Sequence, residues 1–186
     1  MIKDSGERRE FDTGAVRDIQ KGEGRCDLMP LDVAADLLAN MPFAVKDAVL
    51  VRIDEFTFSG DIYCLETALS VLAKKHFKNI PDMLLEVAVH FEEGAAKYSP
   101  NNWKKGLTAQ CYIDSAVRHY LKLLRGDDDE RHDRACAWNL MCCVWTCKHK
   151  PELNSYAKKE DVECERPRRP MYGSCCRADK KEEENK

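Results

Sequence analysis

With 186 residues and a net charge of −3, the chain suits one domain, or a domain and a tail. It lacks the strongly basic surface that general nucleic-acid binding requires, and no apolar run approaches membrane-spanning length. The polar start, MIKDSGERREFD, predicts neither a signal peptide nor an anchor, so the expected location is cytoplasmic, with neither nucleic acid nor membrane as partner.

Residues 1–29 carry little hydrophobic periodicity and read as an irregular arm, either packed on the surface through Phe11, Leu28 and Met29 or used for binding. The arm mixes Arg17, Lys21 and Arg25 with Gly14, Gly22 and Gly24, residues that let backbone and cations approach phosphates, although no phosphate-loop pattern is present. Pro30 opens a helix over residues 31–41, with Leu31, Ala34, Ala35 and Leu38 as its apolar stripe. Residues 44–58 fit a helix or a strand, because Val49, Val51 and Ile53 alternate while Ala44, Ala48 and Val51 keep helical spacing.

Asp61 is the expected cap of a helix over Ile62–Phe77. A break at Ile80-Pro81-Asp82 begins the next helix, which runs to Lys97, and Pro100 with its neighbours makes a loop. A further helix covers Ala109–Arg125. After the acidic turn at Asp127–Asp129, which is expected to supply an N-cap, a central helix covers Glu130–Lys148 with its acids in the first turn. Charge dominates from Ser155 onward, predicting a disordered tail. The organisation is therefore an arm (1–29), a helical domain (30–151) and a tail (152–186), of all-α class.

The ten cysteines include no CxxC pair, and Cys136, Cys142, Cys143 and Cys147 fall in an apolar helical run. They are expected to be reduced core thiols.

Chemistry concentrates in EVAVHFEEGAAKYSPNNWKKG. Glu92, Glu93 and Lys97 lie near the end of a helix, followed by a loop presenting Asn102, Trp103, Lys104 and Lys105. Carboxylates able to hold a hard cation, beside lysines and an aromatic ring, suit a magnesium-bound nucleotide. Glu130 and Asp133 form an ExxD pair on a later helix, and Asp114 and Arg118 an i,i+4 pair with His119 adjacent. If the two acidic helices pack antiparallel, their four carboxylates converge on Mg2+ or Mn2+ rather than zinc.

FDTGAVRDIQKGEGRCDLMP, HFEEGAAKYSPNNWKKG and DSAVRHYLKLLRGDDDERHDRACAWNLMCC together resemble the phage-associated dATP/dGTP diphosphohydrolase family, whose members look like relatives of the MazG-like all-α nucleotide pyrophosphatases. The resemblance covers roughly Asp12 to Met41 and Leu84 to Pro151. It implies a MazG-like helical bundle that hydrolyses a purine deoxynucleoside triphosphate to the monophosphate and pyrophosphate with magnesium. Sites between subunits in such proteins imply a homo-oligomer. Of the MazG-like EExxE and ExxD patterns, Glu92, Glu93, Glu130 and Asp133 match, while Ala96 stands where the third glutamate belongs. Glu86 or Asp114 is the expected substitute, Asp114 preferred because the next helix brings it and His119 to the same region.

On that reading the four matched acids hold the metal, Glu93 activates water, and Lys97, Lys105 and Arg118 neutralise phosphate charge. Trp103 either stacks on the base or anchors the loop, Asn102 reads the base edge, and the arm closes through Arg17, Asp18 and Arg25. Two other readings compete. His132-Asp133, with His90 or His119, suggests an HD-type phosphohydrolase, and a non-enzymatic helical interaction protein would leave the acids as surface charge.

Overall fold

A computed structural model describes residues 7–18, 26–29, 33–34 and 47–156. Among them five α-helices carry an all-α fold: α1 (Ala48–Ser59), α2 (Ile62–His76), α3 (Ile80–Tyr98), α4 (Ala109–Arg125) and α5 (His132–His149). Short 3-10 turns lie at Cys26–Leu28, Asn102–Lys105 and Pro151–Leu153. The arm is more regular than its composition suggests. Two short strands, β1 (Arg8–Glu10) and β2 (Val16–Asp18), pair antiparallel with Arg8 opposite Asp18. Val33 and Ala34 are helical; the rest of the helix expected over residues 31–41 lies outside the described residues, as do Arg25 and residues 157–186.

Of the ambiguous residues 44–58, those described, from Asp47 onward, resolve to helix for a local and a tertiary reason. Asp47 accepts hydrogen bonds from the Val49 and Leu50 N–H groups, and Gly60, at φ 70°, closes the far end. Leu50, Ile53 and Phe56 then share one fully buried stripe, which a strand would split between two faces. Asp61 caps α2 through the Tyr63 N–H, and Asn79 caps α3 through the Asp82 N–H.

α5 packs against α2, α3 and α4 and is central, as its composition predicts. Its start is corrected. The helix begins at His132, not Glu130, and neither Arg131 at the cap position nor the acidic turn supplies a side-chain cap. Glu130 is drawn instead toward His119 and His132, so Glu130 and Asp133 do not share a helical face. Cys136, Cys142, Cys143 and Cys147 are buried and form no disulfide among the described residues, and burial pushes the Cys136 and Cys142 thiols up, keeping them protonated. Among the described residues no helix is long and apolar enough to cross a membrane.

Candidate functional site

Glycine 126, left-handed at φ 87°, ends α4 and turns the chain back along it as α5. In this antiparallel hairpin, residues equally distant from the turn face each other. Tyr112 thus meets Trp138 (ring centroids 6.4 Å apart), and His119 meets His132 (5.4 Å). The two pairs lie seven residues apart on α4, about 10 Å along the axis. A cavity of about 630 Å³ opens over this hairpin, closed by α3, the loop after it and strand β2.

One part of the cavity wall is aromatic. Phe91 contacts Trp103 at 5.2 Å and Trp138 at 5.7 Å, and Tyr98 and Tyr112 also line the wall. Trp103 additionally packs edge-on against Trp145 at 4.9 Å, so it anchors its loop while lining the cavity. Another part is ionisable, with Glu92, Arg118, His119, Lys122, Asp129 and Glu130. Between them stands His90, whose imidazole burial holds neutral, with Arg134 adding to the effect, at a pKa of about 3. Its Nδ1 and the Trp138 Nε1 are buried on the cavity wall and find no hydrogen-bond partner among the described residues.

The ribbon is stitched to this wall. Asn102 accepts from the Val16 N–H at 3.2 Å and donates to the Val16 carbonyl at 2.9 Å, copying one rung of a β-ladder with its side chain. Thr13 donates to the Gly106 carbonyl at 2.6 Å and Lys105 to that of Gly14 at 3.0 Å. Asp18 accepts from Lys97 at 2.5 Å and from the Tyr98 hydroxyl at 2.8 Å. Arg17 reaches over the Tyr112 ring to donate to Asn139 Oδ1 at 2.7 Å and the Cys111 carbonyl at 3.3 Å.

The sequence-predicted acids separate into two groups. Glu92 and Glu130 line the cavity. Glu93 accepts from Arg134 at 3.0 Å, Asp133 from Arg131 at 2.9 Å, and Asp114 from Arg118 and from the Cys26 N–H at 2.6 Å. Glu86 lies 3.4 Å from Arg131. The guanidinium groups hold these carboxylates, and Glu92, Glu93, Glu130 and Asp133 do not gather at one point. Lys97 and Lys105, expected at the phosphates, are turned to the ribbon. The His132-Asp133 tandem is also divided, since His132 faces Glu130 while Asp133 faces Arg131.

Another ligand set is gathered. His119 Nδ1 lies 3.1 Å from Glu130 Oε1 and 3.1 Å from His132 Nδ1, which is 3.4 Å from Glu130 Oε1. Asp129 meets the far nitrogen of His132 at 2.8 Å. Among the described residues, this trio and Asp127–Asp129–His132 are the groups whose ligand atoms lie close enough for one cation. Burial works against the Glu130 carboxylate, but the hydrogen bond from His119 and the positive potential of the imidazoles outweigh it and hold its pKa at about 2. Burial pushes His119 below its ordinary range.

Reasoning from the sequence passed over Lys122, Tyr98, Tyr112, Trp138 and Asn139. The signal was present in the spacing, because His119 with His132 and Tyr112 with Trp138 are both centred on Arg125-Gly126.

Neither curated proteins nor solved structures include a match to this chain. Residues 69–156, from within α2 to the last described turn, match the family described as dATP/dGTP diphosphohydrolase, N-terminal, and so support a relationship to that family over the helices that build the cavity.

Proposed function

We propose that the protein hydrolyses a purine deoxynucleoside triphosphate, dATP or dGTP, to the monophosphate and pyrophosphate, with Mg2+ or Mn2+ accompanying the triphosphate. The observation that carries this reading is the cavity, whose aromatic and ionisable parts are built largely by the helices that match the family. Phe91, Trp103 and Trp138 offer ring surface to a base. Arg17, Arg118 and Lys122 supply positive charge for the phosphates. The water oxygen bonds to the α-phosphorus as its bond to the α,β-bridging oxygen breaks, and pyrophosphate leaves with that electron pair. Glu92, exposed on the cavity rim, takes the water proton in the role the sequence suggested for its neighbour Glu93. A divalent cation, when bound, neutralises triphosphate charge, and magnesium typically arrives on phosphates with few protein ligands. The homo-oligomer that the resemblance implies belongs to the same proposal, supported by exposed Leu84, Leu85 and Val89 on α3.

Product analysis tests the reading. Each deoxynucleoside triphosphate is incubated with the full chain and magnesium, and the products are resolved by ion-exchange chromatography. Purine monophosphate with pyrophosphate is expected, and lost in Glu92→Gln. Deoxynucleoside with inorganic triphosphate would move the reading to the HD-type reaction, and absence of turnover with every divalent cation would overturn it.

A further inference from the structure

The geometry points to a resident metal centre of nitrogen-seeking type at His119, Glu130 and His132, separate in kind from the magnesium that travels with a triphosphate. The inference deepens the proposed function by giving the cavity its own cation, but metal binding does not depend on that function.

Three observations carry it. The ligand atoms form a triangle with sides of 3.1, 3.1 and 3.4 Å. A cation about 2.1 Å from each ligand requires ligand separations of about 3.4 Å when tetrahedral and about 3.0 Å between neighbouring octahedral positions. The triangle already has that size. Next, His132 is held from behind: Asp129 lies 2.8 Å from its Nε2, which fixes the ring with its Nδ1 toward Glu130 and His119. Two imidazole nitrogens and a carboxylate oxygen, atoms that commonly ligate metals, then face the same point. One cation satisfies all three ligand atoms. Finally, the trio is accessible from one side only: His132 is buried, while His119 and Glu130 line the cavity. Two imidazoles and one carboxylate with further positions open to a cavity suit Mn2+, Fe2+, Co2+ or Zn2+ rather than Mg2+ or Ca2+.

The other cluster, Asp127–Asp129–His132, competes for the opposite nitrogen of the same ring. Asp127 is already ion-paired with Arg125, and Asp129 is partly exposed, at 41% of its side chain. That arrangement fits a support for His132, not a second metal site.

The test uses the full chain, stripped with a chelator and titrated with Co2+ alone, which reports its ligands by visible absorption. One equivalent is expected to bind with a spectrum free of thiolate charge-transfer bands, and millimolar Mg2+ should not displace it. His119→Gln and Glu130→Gln should weaken binding at least tenfold, Asp129→Asn by about ten- to a hundredfold as an outer partner, and Asp127→Asn not at all. Circular dichroism checks each fold. The near-isosteric Glu130→Gln and Asp129→Asn keep the test decisive if the histidine variant unfolds. Absence of binding, a thiolate spectrum, or variants that bind like the parent would overturn the assignment. Turnover of magnesium dATP or dGTP without Co2+ binding would overturn it while sparing the proposed function; cobalt binding without any turnover would do the reverse.

Discussion

Replacing Asn102 by alanine separates two roles that this side chain could play. Its amide bridges the Val16 N–H and carbonyl, at 3.2 and 2.9 Å, and so holds β2 against the cavity wall. Alanine removes both bonds and strands two part-buried backbone groups. Each bond contributes about 0.5–1.5 kcal/mol net, so the ribbon loses about 1–3 kcal/mol of docking energy. The ties at Thr13, Asp18 and Arg17 remain, so the ribbon stays docked on average but opens about 5- to 150-fold more often. Native-state amide exchange across residues 8–18 measures this directly, while the amides of α4 and α5 serve as the unchanged reference. Because the ribbon carries Arg17 and Asp18 to the cavity, KM for the nucleotide should rise with kcat nearly constant. Unchanged exchange with a weakened KM would refute the reasoning, since Asn102 would then be meeting the nucleobase itself. Unchanged exchange and unchanged KM would mean that the ribbon does not close the cavity through this residue.

Three further outcomes follow from the same geometry. His90 has its pKa lowered from 6.5 to about 3, so the unfolded chain takes up a proton that the folded one refuses. This contribution to stability is complete above about pH 6.5 and falls by about 1.4 kcal/mol per unit as the pH drops toward 3. Between pH 8 and pH 5 the parent should lose about 2 kcal/mol that His90→Gln retains, read from urea unfolding at the two pH values; equal losses would sink the argument. Gly106 has φ 91°, and a Cβ there would lie 2.7 Å from Leu153 Cδ1 and 2.9 Å from Lys150 Cδ. Gly106→Ala should therefore cost about 1–3 kcal/mol, seen as a lower urea midpoint, and a variant as stable as the parent would contradict the strain. Gly94 is the contrast, because a Cβ in that helical position meets nothing within 4 Å. Gly94→Ala should gain roughly 0.5–1 kcal/mol by the same measurement, and a loss would show that the helix needs the glycine.

Three helices were legible in the sequence because their ends carry their own chemistry. Asp61 caps α2, Pro81 falls in the first turn of α3, and Ala109–Arg125 begins and ends where the pattern predicts. The segment around Val49 was not, since its short apolar run satisfies both periods and only burial against the neighbouring helices decides between them. The ribbon escaped for a related reason. Three-residue strands carry too little alternation to read, and their hold on the fold comes from Asn102, Lys105 and Gly106, far along the chain.

Locating the acids was a different problem from finding them. A carboxylate on a helix is equally compatible with a metal and with a nearby guanidinium, and sequence spacing does not say which arrives first. Here Arg134 holds Glu93, Arg131 holds Asp133 and Arg118 holds Asp114, and every one of these arginines lies on a neighbouring turn or on a helix packed against the acid. Breaking such a pair to supply a cation would leave a charge at a largely buried position, Arg134 being 6% exposed, and that cost opposes the rearrangement. Glu130 escapes capture because its neighbours are imidazoles, which can surrender a proton where a guanidinium cannot. The difference between arginine and histidine as neighbours is what separates Glu93, Asp114 and Asp133, each held in an ion pair, from Glu130, which stays among side chains able to hold a cation.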